Sequence, residues 1–158
     1  MAMILVDLIL SGLAGLIAAA VMTAFEYPFY RKWGMGGVAE WQVNWVMMSA
    51  LNKKWKDLKK PILSWTIASH LSHGIIAAAA LRLILPVLFV WIPFTRELII
   101  LDAVVFTIIL WFLFTFSGRR IYERVGRIKV TETGLLGALL SGIVFGIVLG
   151  LLLPFTFY

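Results

Sequence analysis

Four stretches of this chain run for the width of a lipid bilayer with at most one charged residue, and that pattern leaves few folds open. Eighteen residues separate Asp7 from Glu26 and twenty-one separate Lys60 from Arg82. Twenty-one more separate Glu97 from Arg119, with Asp102 the one charge between them, and twenty-six follow Glu132. A helix rises about 1.5 Å per residue, so about 20 residues cross a hydrocarbon core of roughly 30 Å. Hydrocarbon gives backbone N–H and C=O groups no water to bond, which restricts spanning chain to helices or closed barrels. These runs are continuous Leu, Ile, Val, Ala and Gly without the two-residue alternation of barrel strands, so helices are expected. The chain is 62% hydrophobic and 14% charged, with a mean hydropathy of +0.99. An average soluble domain carries about a quarter charged residues, so an ordinary water-soluble globule is excluded. The expected fold class is an all-α integral membrane protein forming a single membrane domain over residues 1–158. Its four transmembrane helices are placed at residues 5–26, 61–84, 97–118 and 133–155, with one amphipathic interfacial helix at 37–52 in the first cytoplasmic loop.

Direction follows from charge. Fourteen Lys and Arg against eight Asp and Glu give +6, which in a soluble protein would raise nucleic acid as a partner. Here the basic residues cluster beside apolar runs, as in cytoplasmic loops that meet anionic headgroups, so lipid is the expected partner and nucleic acid is not. One cluster holds Arg31, Lys32, Lys53, Lys54, Lys56, Lys59 and Lys60, and the other Arg119, Arg120, Arg124, Arg127 and Lys129. Both loops are expected in the cytoplasm, which puts both termini outside a plasma membrane and makes Leu83 to Arg96 an outer connection kinked by Pro86 and Pro93. No basic residue precedes the first run and no small-residue cleavage pattern ends it, so a secretory signal peptide is not expected there. Cysteine is absent, which excludes disulfides and thiol chemistry.

Trp41, Trp45 and Met48 recur at i, i+4 and i+7, with Val38 and Leu51 near that face, which suggests a helix resting on the inner interface. Trp33, Trp55 and Trp65, with Tyr27 and Tyr30, add to an aromatic belt on that side. Gly34-Met35-Gly36-Gly37 reads as the turn that releases the chain into this helix.

Small residues in the fourth span, Gly134, Ala138, Gly142, Gly146 and Gly150, repeat at intervals of four and form a groove that another helix can approach closely. The first span has a shorter version in Ser11, Gly15 and Ala19. Helices one and four are therefore expected to pack together within the protomer, while a neighbouring subunit is the alternative occupant of the longer groove.

Ionisable residues inside a bilayer are costly and should have partners. Asp7, Arg82 and Asp102 all fall near the outer leaflet and suggest a three-member ion cluster that fixes the helices, or else the mouth of a proton or ion path at Asp102. Glu26 lies at the inner end of the first span, where contact with headgroup water is expected. His70 and His73 share one face of the second span at about mid-depth, near Thr66, Ser69 and Ser72. Hydrogen-bonded packing is the plain reading of the two imidazoles; a proton relay, a quinone site or metal ligation are the sharper ones. A metal needs further ligands, and on sequence grounds Asp102 alone lies near the right depth. Signatures of hydrolases, zinc proteases and phosphate loops are absent.

The stretch Gly12 to Thr23, continuing through Ala24-Phe25-Glu26-Tyr27-Pro28-Phe29 to Lys32-Trp33-Gly34, resembles small four-span integral membrane proteins of archaeal type. The specific part is Glu26-x-Pro28-Phe29 followed by Lys32-Trp33-Gly34. No activity attaches to such proteins, so the resemblance implies no catalytic residues and no cofactor held by this chain alone. It does direct attention to accessory subunits of energy-converting membrane complexes, such as a respiratory enzyme or a copper-dependent monooxygenase. The expected function is accordingly a non-catalytic subunit among other integral membrane subunits. The alternatives are a small homo-oligomeric transporter or channel whose path uses Asp102, His73, His70 and Glu26, and a membrane redox or metal enzyme.

Overall fold

The structure is a computed structural model that describes residues 2–51, 63–88, 95–126 and 129–154. The Lys53 to Lys60 cluster, Trp55 and Pro93 lie outside the described residues, as do the side chains of Met48 and Leu51. Among the described residues all regular structure is helical: α1 (Ala2–Trp33), a 3₁₀ turn (Gly34–Gly37), α2 (Ala39–Leu51), α3 (Leu63–Leu88), α4 (Arg96–Leu113), a π-helical turn (Phe114–Gly118), α5 (Arg119–Gly126) and α6 (Glu132–Leu152). Four of these helices, α1, α3, α4 and α6, are long and apolar enough to cross a membrane.

Helix α1 does not stop at Glu26 or at Pro28 but continues to Trp33. A proline within a helix removes one N–H, here the partner of the Ala24 carbonyl, and tolerating that loss requires local compensation. Phe25, Phe29 and Trp33 form a ladder of rings along this stretch, with centroids 5.7 and 5.9 Å apart. Arg31 and Lys32 in the last turn also complement the helix dipole. The chain then reverses at Gly34, whose φ of +62° is a left-handed conformation that a side chain would strain. Helix α3 likewise runs past Pro86 to Leu88.

Helix ends are closed by side chains that the sequence places there. Thr95 caps α4 by accepting from the Leu98 N–H. Thr131 caps α6 by accepting from the Gly134 N–H at 3.0 Å, while its own hydroxyl donates to the Gly36 carbonyl at 2.6 Å and so ties the 3₁₀ turn to α6. At the far end of α6, Arg96 donates to the Gly150 carbonyl at 3.2 Å and to that of Leu153 at 2.7 Å, serving acceptors that a helix C-terminus leaves unpaired.

Packing follows a row rather than a square. Helix α1 sits between α3 and α6, and α6 in turn packs along α4, whereas α3 and α4 make at most a marginal backbone contact. The small residues make their closest approaches in two pairs, α1 with α3 and α6 with α4. Gly15 lies against Gly74 and Ala78 of α3, and Gly74 against Ala19, so the small-residue motif of α1 is used by α3. Gly146 abuts the backbone of Ala103 and Val104, and Gly150 abuts Ile100, so the C-terminal half of the ladder in α6 is used by α4. Gly134 and Gly137 face the carbonyls of Gly36 and Gly37. Helices α1 and α6 do pack together as expected, with Ala14, Ala18, Ala19 and Met22 sharing a core with Phe145 and Leu149. The closest approaches of the small residues, however, are to α3, α4 and the 3₁₀ turn, where dispersion contact is gained. Ala138 and Gly142, in the middle of the ladder, line a cavity.

A core of Ala14, Ala18, Ala78, Leu81, Leu85, Ile99, Ala103, Leu149 and neighbours closes one half of the bundle. Outward, Leu5, Ile9, Leu13 and Ile17 on α1, Ile76 and Leu83 on α3, and Leu101, Ile109 and Phe112 on α4 are exposed. Water would tolerate such a belt poorly.

Beyond the π-helical turn, Glu123 accepts from Arg119 Nε and from the Val130 N–H, each at 3.0 Å, and so holds the chain entering α6. The hydrogen bond from Arg119, followed by that from Val130, holds the Glu123 carboxyl below its ordinary value of 4.5. A carboxyl depressed in the folded state contributes stability above its unfolded value and loses it as pH falls through the folded value. The Val130 amide chemical shift is therefore expected to titrate with a midpoint below 4.5, and Glu123→Gln should abolish the transition. A midpoint at or above the ordinary value would contradict the contact.

Candidate functional site: a carboxylate and imidazole cluster beside a cavity

Three helices bring ionisable side chains to one point. Glu26 reaches it from α1, Glu40 from α2 and His70 from α3, and their ligand atoms all lie within 4.8 Å of one another. Glu26 is 1% exposed, not at a wetted helix end as the sequence suggests. The reason is structural: α1 continues for two turns past it, and the Gly34–Gly37 turn folds α2 back over its side chain. Trp41 donates its indole N–H to Glu26 Oε2 at 2.7 Å, and Ser141 of α6 donates its hydroxyl to Oε1 at 3.0 Å. His70 Nε2 stands 3.4 Å from Glu26 Oε2, and His70 Nδ1 stands 4.0 Å from Glu40 Oε2.

Asn44 anchors the imidazole from the side. Its amide nitrogen lies 3.3 Å from His70 Nδ1, and its Oδ1 accepts from Ser69 at 3.3 Å. Two buried atoms in the cluster have no hydrogen-bond partner among the described residues: His70 Nε2 and Glu40 Oε2. Orphaned polar atoms in a protein interior are rare and call for an explanation. The Glu40 carboxyl is pushed well above the usual range, first because burial strips its hydration and second because the Glu26 carboxylate stands against it.

The cluster borders a cavity of about 380 Å³. Its walls come from α1 (Ala19, Met22), α2 (Val43), α3 (Gly74, Ala77), α4 (Thr107, Leu110), the π-helical turn (Phe114) and α6 (Ala138, Gly142, Phe145), with Glu40, Asn44, His70 and His73 as its ionisable or amide groups. The separation of α3 from α4 is what leaves this space open. A mostly apolar pocket with a few convergent polar groups is the usual form of a small-ligand site.

The residues singled out from sequence are thus partly gathered here. His70 belongs to the cluster, and His73, Ala19, Ala138 and Gly142 line the cavity. Asp7 and Arg82 form a buried ion pair elsewhere, between α1 and α3. Asp102 does not join them: it has no ion pair among the described residues, its Oδ2 is enclosed without a hydrogen-bond partner, and it lies outside the cavity lining. The expected three-member cluster is a pair, because Asp102 sits on α4, the helix whose backbone stays apart from α3. Glu40, Asn44 and Trp41 enter the site without having been anticipated there. Glu40 and Asn44 are four residues apart and share a face of α2, a polar signal overshadowed by the tryptophans. Trp41 is completely buried against Glu26 and Tyr30.

Compared with protein-family models, with curated proteins and with solved structures, the chain matches none of them.

Proposed function

We propose that this protein is a small multi-pass transporter of the plasma membrane that binds a cation at the Glu26, Glu40 and His70 cluster and works as a homo-oligomer. Both termini face outward, the basic loops face the cytoplasm, and α2 sits at the cytoplasmic membrane boundary over the cavity. Four helices of spanning length and the exposed apolar belt support the membrane setting. The observation that carries the function is the convergence of two carboxylates and an imidazole, buried and drawn from three helices, at the edge of a cavity. Ionisable groups in such a position are expensive to keep and mark ion or substrate paths. A packed core fills the other half of the bundle, and a carrier needs one side closed in each of its two states. Apolar walls exclude water, so a bound cation is held by the carboxylates rather than screened.

The glycine ladder, which favours a subunit of a larger assembly when read from sequence, is met from within the chain at Gly134, Gly146 and Gly150, and its middle, Ala138 and Gly142, lines the cavity. A subunit would then have to dock on the outward apolar faces, which lipid covers equally well. The redox or metal enzyme differs from the transporter in needing a reaction rather than a passage.

Reconstitution into liposomes tests the proposal. Zn2+ uptake onto a trapped indicator, and proton flux onto a trapped pH dye, should each be followed under an imposed membrane potential. At least one is expected to exceed protein-free vesicles tenfold or more. The His70→Ala/His73→Ala double variant should lose that flux while keeping its helical circular dichroism. Wild-type protein that passes neither ion would overturn the proposal.

A further inference from the structure

We infer that Glu26, Glu40 and His70 form a binding site for one divalent first-row transition-metal ion, a deepening that rests on the cation-transport reading of the same cluster. The donor set is two carboxylate oxygens and one imidazole nitrogen. Hard ions such as Mg2+ and Ca2+ take oxygen ligands and have no use for the imidazole, while Cu+ prefers sulfur; Zn2+, Mn2+ and Fe2+ suit the mixture.

Geometry agrees. Two ligands on a tetrahedral ion at about 2.1 Å stand about 3.4 Å apart. His70 Nε2 and Glu26 Oε2 are already 3.4 Å apart. The widest separation in the trio, within 4.8 Å, closes by about an ångström through side-chain rotation of Glu40, which lines the cavity.

The orphaned atoms supply the independent pointer. His70 is 5% exposed, and its Nε2 stands 3.4 Å from Glu26 Oε2 without a hydrogen bond. An ion bound there would satisfy it and Glu40 Oε2 together. It would also stabilise the ionised form of the carboxyls, which burial and mutual repulsion otherwise disfavour.

The surroundings match a metal site beyond its direct ligands. Metal-bound histidine usually passes its other ring N–H to an oxygen acceptor that fixes the ring. Asn44 lies at His70 Nδ1. With its amide turned over, the carbonyl accepts from Nδ1–H and the NH2 donates to Ser69, an exchange that leaves every partner in place. Trp41 and Ser141 hold the Glu26 carboxylate. Three protein ligands leave a fourth position open to the cavity, the arrangement of an exchangeable rather than a structural ion.

Full-length protein in detergent, stripped with a chelator, should be titrated with Zn2+ in a calorimeter and with Co2+ in a spectrophotometer. One equivalent of Zn2+ is expected to bind, and Co2+ should give the intense visible bands of a four-coordinate site. Glu40→Gln and His70→Gln should each weaken Zn2+ binding tenfold or more, with Glu26→Gln as a third variant if it folds. Asp102→Asn should bind as wild type does. Absence of stoichiometric Zn2+ binding, or binding that survives both Glu40→Gln and His70→Gln, would overturn the site. Binding without flux would remove the transporter and leave the site standing; proton flux without Zn2+ binding would do the reverse.

Discussion

Replacing Gly15 by valine is expected to cost about 3 kcal/mol of folding stability, the upper range for forcing volume into a packed interior. A Cβ at Gly15 would approach the Gly74 carbonyl oxygen and the Ala78 Cβ far inside contact distance, and a Cβ at Gly74 would stand 2.5 Å from that of Ala19. The nearest obstacle is backbone, which cannot rotate aside as a side chain can. Accommodation must therefore come from parting α1 and α3 along their length, and every dispersion contact of the pair weakens together. Gly12 is the control. A Cβ there meets Ile75 Cγ2 alone, at 3.3 Å, the end of a flexible side chain. Gly12→Ala should be nearly neutral, with the helix-propensity gain over glycine of up to about 1 kcal/mol offsetting the contact. Denaturant titrations followed by helical circular dichroism compare the two. Gly15→Val unfolding together with wild type would show that α1 and α3 do not meet there.

What was legible in the sequence was local. The span lengths follow from where charges interrupt apolar runs, and those limits agree with α1, α3, α4 and α6 to within a few residues except at the end of α1. There Pro28 and Glu26 suggested a stop, because a proline and a charge commonly mark one. The helix instead continues to Trp33, with Phe25, Phe29 and Trp33 stacked along it. Partner choice was the less legible part. The motifs Ser11-x-x-x-Gly15 and Gly134 to Gly150 announce close approach but not to what, since a smooth face fits any backbone of suitable curvature. The same applies to the site. His70 stands out as a histidine in an apolar run, but Glu26 and Glu40 are separated from it by 44 and 30 positions; Glu26 reads as a helix end in headgroup water, joined to the histidines only in the transporter alternative, and Glu40 does not stand out. Only the reversal at Gly34–Gly37, which turns α2 back on the end of α1, brings them in. A turn of four residues with three glycines shows that the chain reverses, not the angle at which it returns.

The Asp7 and Arg82 pair gives the other large effect. Both side chains are 7% exposed, and the guanidinium Nη2 donates to Asp7 Oδ2 across α1 and α3. Arg82→Leu leaves the Asp7 carboxylate buried without this cation, and breaking a buried pair from one side costs about 3–5 kcal/mol. The double variant Asp7→Leu/Arg82→Leu removes both charges and their desolvation penalty. Replacement of a whole buried pair by apolar residues is often neutral or better. Stability is thus expected to fall steeply in the single variant and to return to near the wild-type value in the double one, measured by the same titrations. Arg82 also covers surface with its aliphatic stem, whose loss would not be repaired by changing Asp7. The cycle separates the two contributions: a double variant as weak as Arg82→Leu would assign the cost to packing of the stem, and recovery assigns it to the stranded charge. Recovery would also mean that the pair selects the register of α1 on α3 more than it stabilises their contact, since the two helices already meet backbone to backbone at Gly15 and Gly74.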